Sequence, residues 1–194
     1  EVLKELTRLR QLCCGPELFL ENYHGENAKM DACVELVRQA VDGGHKVLLF
    51  SQFTSVLDEI EKALAKEKIE DHRIDGSVSK EQRIRLVDSF ETDEVPVFCI
   101  SLKAGGTGLN LTAADIVIHY DPWWNVAAQN QATDRAHRIG QRNTVTVYDL
   151  IAENTIEEQI KKLQESKSAL AEEILSGEGI QSIVLDRDEI LKML

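Results

Sequence analysis

Lys46-Val-Leu-Leu-Phe50, followed at once by Ser51-Gln52, is an unbroken apolar run that stops on two polar residues. A strand with one wet face alternates apolar and polar residues. A strand covered on both faces has no reason to, and reads as a continuous run. The stretch therefore predicts an inner strand with helices on either side. The residues after it supply the first of those helices, because Val56, Leu57, Ile60, Ala63 and Leu64 fall on one stripe at helical spacing.

The same alternation continues downstream. His72-Arg-Ile-Asp75 reads as a short strand, and Gly76-Ser77 turns into a helix over about 79–91 carrying Ile84, Val87 and Phe90, with Ser79 and Gln82 spaced as a capping box. Residues 95–101 form the third strand, followed by Lys103-Ala-Gly-Gly-Thr-Gly108. Residues 115–120 form the fourth, ending at Asp121-Pro122-Trp123-Trp124; a helix over about 126–138 and a fifth, alternating strand over 144–150 follow. Five strands separated by helices predict an α/β fold, a three-layer sandwich with a mainly parallel sheet. Ligands of such sheets bind beyond the carboxyl ends of the strands. Loops 51–52, 75–77, 101–110, 121–124 and 151–154 all follow strands and are expected along that one edge.

Upstream, Val2, Leu3, Leu6, Leu9 and Leu12 predict a helix ended by Gly15-Pro16, and a second helix over about 28–41 ends at Gly43-Gly44. After residue 152, Ile156, Ile160, Leu163, Leu170 and Ile174 recur at helical spacing, so one long helix is expected to reach Gly177. Gly177-Glu-Gly179 reads as a hinge, with a short helix from Asp186. Three parts follow: 1–27 as an opening helix and loop, 28–152 as the α/β lobe, and 153–194 as a long helix and tail.

With 43% hydrophobic and 29% charged residues, the chain has the composition of an ordinary globular protein. Its net charge of −12 argues against a general nucleic-acid coat but leaves room for a local basic strip. Cys13, Cys14, Cys33 and Cys99 include no C-x-x-C pair and no histidine at ligand spacing, so no metal site is expected. Reduced thiols suit an intracellular protein. The acidic balance and the lack of a basic targeting run favour a bacterial cytoplasm over a nucleus. No signal peptide or long apolar run is present, so no membrane span is expected. Opening at Glu1 without Met, the chain is expected to be a segment of a longer protein.

The chemistry concentrates in Gln131-Ala-Thr-Asp-Arg-Ala-His-Arg-Ile-Gly-Gln141. On a continuous helix Gln131, Asp134, Arg135 and Arg138 share one face. Two adjacent guanidiniums repel each other, so a face built this way meets anions, and the planar fork of arginine suits phosphate. Both guanidiniums are expected at the solvent edge. The alternative is a solvated face that Asp134 or Glu153 partly neutralises. Ala104-Gly-Gly-Thr-Gly108 is not a Walker A loop, because Leu109-Asn110 stand where Lys-Ser/Thr would. With no Walker A or acidic Walker B box anywhere in the chain, what remains is half an active site, and half-sites need a partner lobe.

Five stretches together resemble, in order, the C-terminal motor-lobe motifs of the SWI/SNF family, ATP-driven double-stranded DNA translocases of helicase superfamily two. They are Phe50-Ser51-Gln52-Phe53, Arg73-Ile-Asp-Gly-Ser77, Ser101-Leu-Lys-Ala-Gly-Gly-Thr-Gly-Leu-Asn-Leu111, Asp115-Ile-Val-Ile-His-Tyr-Asp-Pro-Trp-Trp-Asn125 and the 131–141 stretch. Leu9-Arg-Gln-Leu-Cys-Cys-Gly-Pro16 is similar to the family's opening helix, which usually ends in Asn-His-Pro; Glu153-Asn-Thr-Ile-Glu-Glu158 is similar to its closing brace. The resemblance covers essentially the whole chain.

It implies a RecA-like lobe with a C-terminal brace helix, the second of two lobes around an ATP cleft. The N-terminal RecA-like lobe is the implied partner and holds most of the ATP and its Mg2+. Arg135 and Arg138 match the arginines that the family points at the γ-phosphate, and Gln131 would place them or the attacking water. Gly108 and Asn110 match the segment near the nucleotide sugar. Ser51, Gln52, Gly76, Ser77, Ser101, Lys103, Ala104 and Gly105 match loops that follow the phosphates of double-stranded DNA. The implied whole is a DNA-dependent ATPase that remodels some DNA-bound protein.

Three other readings compete. A strand-separating helicase of the same superfamily shares most of the motifs, although His137-Arg-Ile-Gly-Gln141 and Asp121-Pro-Trp-Trp124 favour the translocase. A non-catalytic α/β nucleotide-binding module has no use for the paired arginines. The nucleotide-sugar half of a glycosyltransferase explains neither Lys103 nor that pair. Because no residue here replaces the P-loop lysine or the magnesium-binding acid, the isolated chain 1–194 is expected to hydrolyse no ATP. Phosphate release is expected at background level and unaltered by Arg135→Ala; steady turnover that survives that substitution contradicts the half-site reading.

Overall fold

The computed structural model describes residues 2–20, 23, 25–102, 104, 109–138, 140, 141 and 143–176. Its elements are α1 (Val2–Cys14), a 3-10 turn (Pro16–Leu18), α2 (Ala28–Asp42), β1 (Val47–Ser51), α3 (Thr54–Lys66), β2 (Asp71–Ile74), α4 (Lys80–Thr92), β3 (Val97–Ser101), β4 (Ile116–His119), α5 (Val126–Thr133), β5 (Thr146–Asp149) and α6 (Ile156–Ser176). The strands form one five-stranded sheet in the order β2-β3-β1-β4-β5. Every neighbouring pair is parallel, with Val47 between Val97 and Ile116 and Phe50 between Ile100 and His119.

The apolar run sits where its composition requires, at the centre of the sheet, buried at every position. Strand periodicity sends its side chains to two separate cores. Val47 and Leu49 meet Cys33 and Val37 of α2 and Ile60 and Leu64 of α3 on one face. Leu48 and Phe50 meet Phe90 of α4 and Ala132 of α5 on the other. Each fully buried aliphatic or aromatic side chain of this kind contributes about 1.5–3 kcal/mol relative to exposure. From β1 to β2 the chain moves towards one edge with α3 on the first face, and from β2 to β3 and β4 to β5 it moves back with α4 and α5 on the second. Changing face whenever the direction reverses gives every crossover the same hand, as parallel connections require.

Helix starts follow their local chemistry. Asn27 accepts from the Met30 N–H at 3.0 Å to cap α2, and the Ser79–Gln82 capping box opens α4 as expected. Strand β3 begins later than the expected residue 95, at Val97 after Pro96. Proline has no N–H for the ladder but still accepts from Val47 N at 2.8 Å. Strand β5 is one of the two sheet edges and is exposed in succession at Thr146, Val147 and Tyr148, so its alternating sequence is not matched by alternating burial. Leu6 of α1 packs with Ile156 and Ile160 of α6, forming a seam outside the two cores. The expected hinge at Gly177–Gly179 and helix from Asp186 lie outside the described residues.

The helix expected over 126–138 ends at Thr133. Beyond it the chain tightens, with Arg135 N donating to Ala132 O and Ala136 N to Thr133 O, each at 3.1 Å. Arg135 O, which a continuing helix would offer to residue 139, accepts instead from Leu111 N at 3.0 Å. With the helix ended at Thr133, Gln131, Asp134, Arg135 and Arg138 do not share a helical face.

His119 closes β4 at 1% exposure, its ring stacked on Phe50 at 5.5 Å between centroids. Its Nε2 is hydrogen-bonded with Thr133 Oγ1 at 3.0 Å, and Nδ1 is left without a partner among the described residues. Burial, mainly, pushes the imidazole down to about 4, with Lys161 adding to the effect and Asp149 opposing it. Unfolded histidine protonates near its ordinary value of about 6.5. The unfolded chain therefore binds more protons between those limits, and this contribution is complete above about 6.5 and lost as pH falls towards 4. Urea titrations from pH 7 to 4 should show His119→Phe losing on the order of 3 kcal/mol less than the native chain. Parallel pH profiles for the two proteins contradict this account.

Candidate functional site

All five strands end on one edge, and the loops singled out by sequence gather there. The edge is organised around Asp121, which follows β4 and is 1% exposed. Its carboxylate accepts from Ser51 Oγ at 2.5 Å, from Gln52 Nε2 at 2.7 Å and from the Gln52 N–H at 3.2 and 3.3 Å. Arg10 of α1 approaches with Nη2 at 3.9 Å from Asp121 Oδ2, donates to Pro122 O at 2.9 Å, and lies over the rings of Phe53 and Trp124. Burial pushes the Asp121 carboxyl above its ordinary range, with Ser51, Lys29, Arg10 and the Gln52 amide pulling the other way. Burial likewise lowers Arg10 against the charge of Asp121. At 3.9 Å the pair is loose, and the hydrogen bonds from Ser51 and Gln52 are what hold the carboxylate.

Ser51 and Gln52 thus spend their side chains inward. Ser51 is fully buried and Ser101 is 2% exposed, so neither hydroxyl stands on the surface. Gly76 and Ser77 are exposed, and nothing lies within 4 Å of where a Cβ on Gly76 would sit. Asp75 shapes their turn by accepting from Ser77 N at 2.8 Å and Ser77 Oγ at 2.6 Å. Ala104 is buried, and its carbonyl accepts from Arg83 Nη1 at 3.3 Å. Asn110 is exposed. Lys103, Gly105 and Gly108 lie outside the described residues.

The paired arginines part company. Arg138 is exposed, as expected, but Arg135 is 2% exposed and not at the solvent edge. The Nε and Nη2 of Arg135 are buried and have no hydrogen-bond partner among the described residues. Burial first, then the charge of Arg138, pushes this guanidinium below its usual value, with a smaller opposing pull from Asp134. Arginine remains charged through any such shift. Gln131 is exposed on α5. Neither Asp134 nor Glu153 forms an ion pair with these arginines among the described residues. A recess of about 340 Å3 lies on the flank formed by α5, β5 and α6 and includes Gln129, Thr133, Asp149 and Lys161.

Two groups were not singled out by sequence. Arg83 donates to Val78 O at 3.0 Å, Asp75 O at 2.9 Å and Ala104 O at 3.3 Å, tying the 75–78 turn to the loop after β3. Its sequence signal is nil, because an arginine on an amphipathic helix is ordinary. Asp121 did carry a signal: a carboxylate directly after an apolar strand and before proline is placed to receive donors from neighbouring strand ends. No cluster of three or more metal-ligating side chains occurs among the described residues, and no helix among them is long and apolar enough to cross a membrane.

Comparison with known proteins agrees with this geometry. Residues 28–140 match the helicase conserved C-terminal domain family. The SWI2/SNF2 ATPase C-terminal domain of Sulfolobus solfataricus superposes with a TM-score of 0.75 at 31% identity, over 100% of this chain and 80% of that one. The SWI2/SNF2 ATPase core of the same organism, solved in complex with dsDNA, gives 0.77 at 33% identity, over 100% of this chain and 41% of that one. The putative ATP-dependent helicase/translocase YwqA of Bacillus subtilis is 42% identical over 92% of this chain and 20% of its own length. The chain spans about a fifth of the length of the curated bacterial relatives it matches.

Asp121→Ala is expected to destabilise the lobe by about 3–5 kcal/mol, since it strands buried donors on Ser51, Gln52 and Arg10. That corresponds to a melting temperature lower by roughly 6–20 °C for a chain of this size. Asp121→Asn keeps the shape and part of the bonding and is expected to cost less. A melting curve for Asp121→Ala within a degree of the native one contradicts this role.

Proposed function

The chain belongs to the helicase conserved C-terminal domain family, in its SWI2/SNF2 branch, and from that premise we propose that it is the second motor lobe of an ATP-dependent double-stranded DNA translocase that remodels protein–DNA complexes. The observation that carries the proposal is Arg135. A guanidinium held at 2% exposure with two nitrogens unpartnered among the described residues is costly to bury and lacks its counter-charge. A phosphate approaching this edge from a facing lobe supplies that charge. Such a site is preorganised, because the donors are desolvated before the reaction begins.

Arg135 and Arg138 are proposed as arginine fingers that stabilise charge on the γ-phosphoryl group in transit, with Gln131 ordering the turn or the attacking water. ATP, when bound, supplies the phosphoanhydride whose cleavage drives the motor. This chain contributes only cationic and amide groups towards it, through the two arginines and the segment containing Gly108 and Asn110. Mg2+ is proposed to be held by the N-terminal lobe.

DNA is proposed to pass the loops after β1, β2 and β3. Gly76, Ser77, Lys103 and Gly105 would meet backbone phosphates. Ser51, Gln52, Ser101 and Ala104 would act by shaping those loops, since their polar atoms are turned inward or carried by the main chain. Contacts of this kind give affinity without base readout. The DNA-bound protein acted upon is proposed only as a class.

The test is made in the full-length protein. Arg138→Ala is expected to fold normally and to lose DNA-stimulated turnover by on the order of 10³-fold, with little change in ATP affinity. Arg135→Met, which fills the same space without charge, is expected to melt no lower than the native protein, because it removes an unpaired buried cation, and to be equally inactive. Turnover near the native rate in either folded variant overturns the arginine-finger assignment.

A further inference from the structure

We infer that Gln141 is a positioning residue that holds the arginine turn in register with the loop leaving the DNA side of the lobe. The inference rests on the motor reading above and adds to it a residue with no role so far. Gln141 Nε2 donates to Ala114 O at 2.8 Å, Thr112 O at 3.1 Å and Ala136 O at 3.2 Å. Its Oε1 accepts from Asn143 N at 2.9 Å. Three carbonyls can only accept, so they fix which end of the carboxamide faces them. One amide group with two hydrogens thus ties three main-chain oxygens from two different segments.

Those segments are the ones that matter. Ala136 lies inside the turn between Arg135 and Arg138, and Thr112 and Ala114 belong to the loop that continues from Asn110. The two are also joined main chain to main chain by Leu111 N donating to Arg135 O at 3.0 Å. The loop is held from its other side by Glu91 at the end of α4, which accepts from Thr112 Oγ1 at 3.1 Å and Ala113 N at 3.0 Å. The segment 111–114 and the arginine turn are thus joined by several hydrogen bonds, through which the position of one constrains the other. Gly140 makes the arrangement possible. At φ +115 it turns the chain so that Gln141 comes back beneath the loop, a conformation that a side chain would strain.

A shift of a fraction of an ångström in a catalytic cation is enough to reduce turnover while leaving ground-state binding alone. A merely structural amide would instead lower stability and leave each folded molecule fully active. The experiment compares Gln141→Met, Gln141→Asn and Arg138→Ala in the full-length protein, each assayed well below its own melting temperature. Gln141→Met is expected to lower DNA-stimulated kcat by on the order of tenfold with the ATP KM within about twofold, and Gln141→Asn, a shorter amide, to give an intermediate loss. Should Gln141→Met fail to fold, Gln141→Asn carries the test. Native kcat in the folded glutamine variants, beside an inactive Arg138→Ala, overturns this inference alone. Native kcat in Arg138→Ala removes the motor reading and this inference with it.

Discussion

A buried carboxylate has to be fully hydrogen-bonded or it destabilises the structure that contains it. Asp121 meets that requirement by drawing Ser51 and Gln52 from the adjoining strand end and Arg10 from the opening helix. The bonds are inward, so the loop after β1 is set from below. Its outer surface is left to whatever passes over the edge. Pro122 extends the arrangement by accepting from both Arg10 and Gln52 through its carbonyl. The geometry of this edge thus depends on one side chain that no ligand is in a position to touch.

The same constraint runs from Asp121 into the brace. Gln129 of α5 accepts from Trp123 N and from Gln164 Nε2 of α6, and Gln164 Nε2 also donates to Trp123 O. Glu157, fully buried at the start of α6, receives Lys29 of α2 at 2.5 Å and the Ala152 N–H at 2.8 Å. Burial pushes the Glu157 carboxyl upward and Lys29 offsets it. Buried pairs of this kind add little net stability but penalise alternative packings, because separating them leaves a charge stranded. They tie the start of α6 to α2, beside the apolar seam that Leu6 of α1 makes with Ile156 and Ile160.

Arg135 is the counterexample that the rest of the fold tolerates. Where Asp121 has every partner it needs, Arg135 has a desolvated guanidinium and no partner for two of its nitrogens among the described residues. The burial arises because the turn after Thr133 is drawn against the loop at Leu111, with Ala132 and Ala136 packed in the second core. Stability is given up at a position where the proposed chemistry wants a preformed cation.

Sequence alone determined the sheet and its layers, because strand burial is written in composition: the unbroken run at 46–50 called for cover on both faces, and the strands it announced alternate with helices. It also determined which loops share an edge, since parallel strands leave no choice, and it marked the two arginines by their spacing. The direction of side chains at that edge was decided by tertiary structure. Ser51 reads as a polar residue free to meet a ligand, but only the neighbouring strand end reveals Asp121 beneath it. Arg135 reads as one of two residues on a helical face, but the helix ends at Thr133, the Arg135 carbonyl accepts from the Leu111 N–H more than 20 residues away in the chain, and the guanidinium is buried. Periodicity reports local geometry, whereas hydrogen bonds between distant segments override it wherever a buried polar group must find its partner.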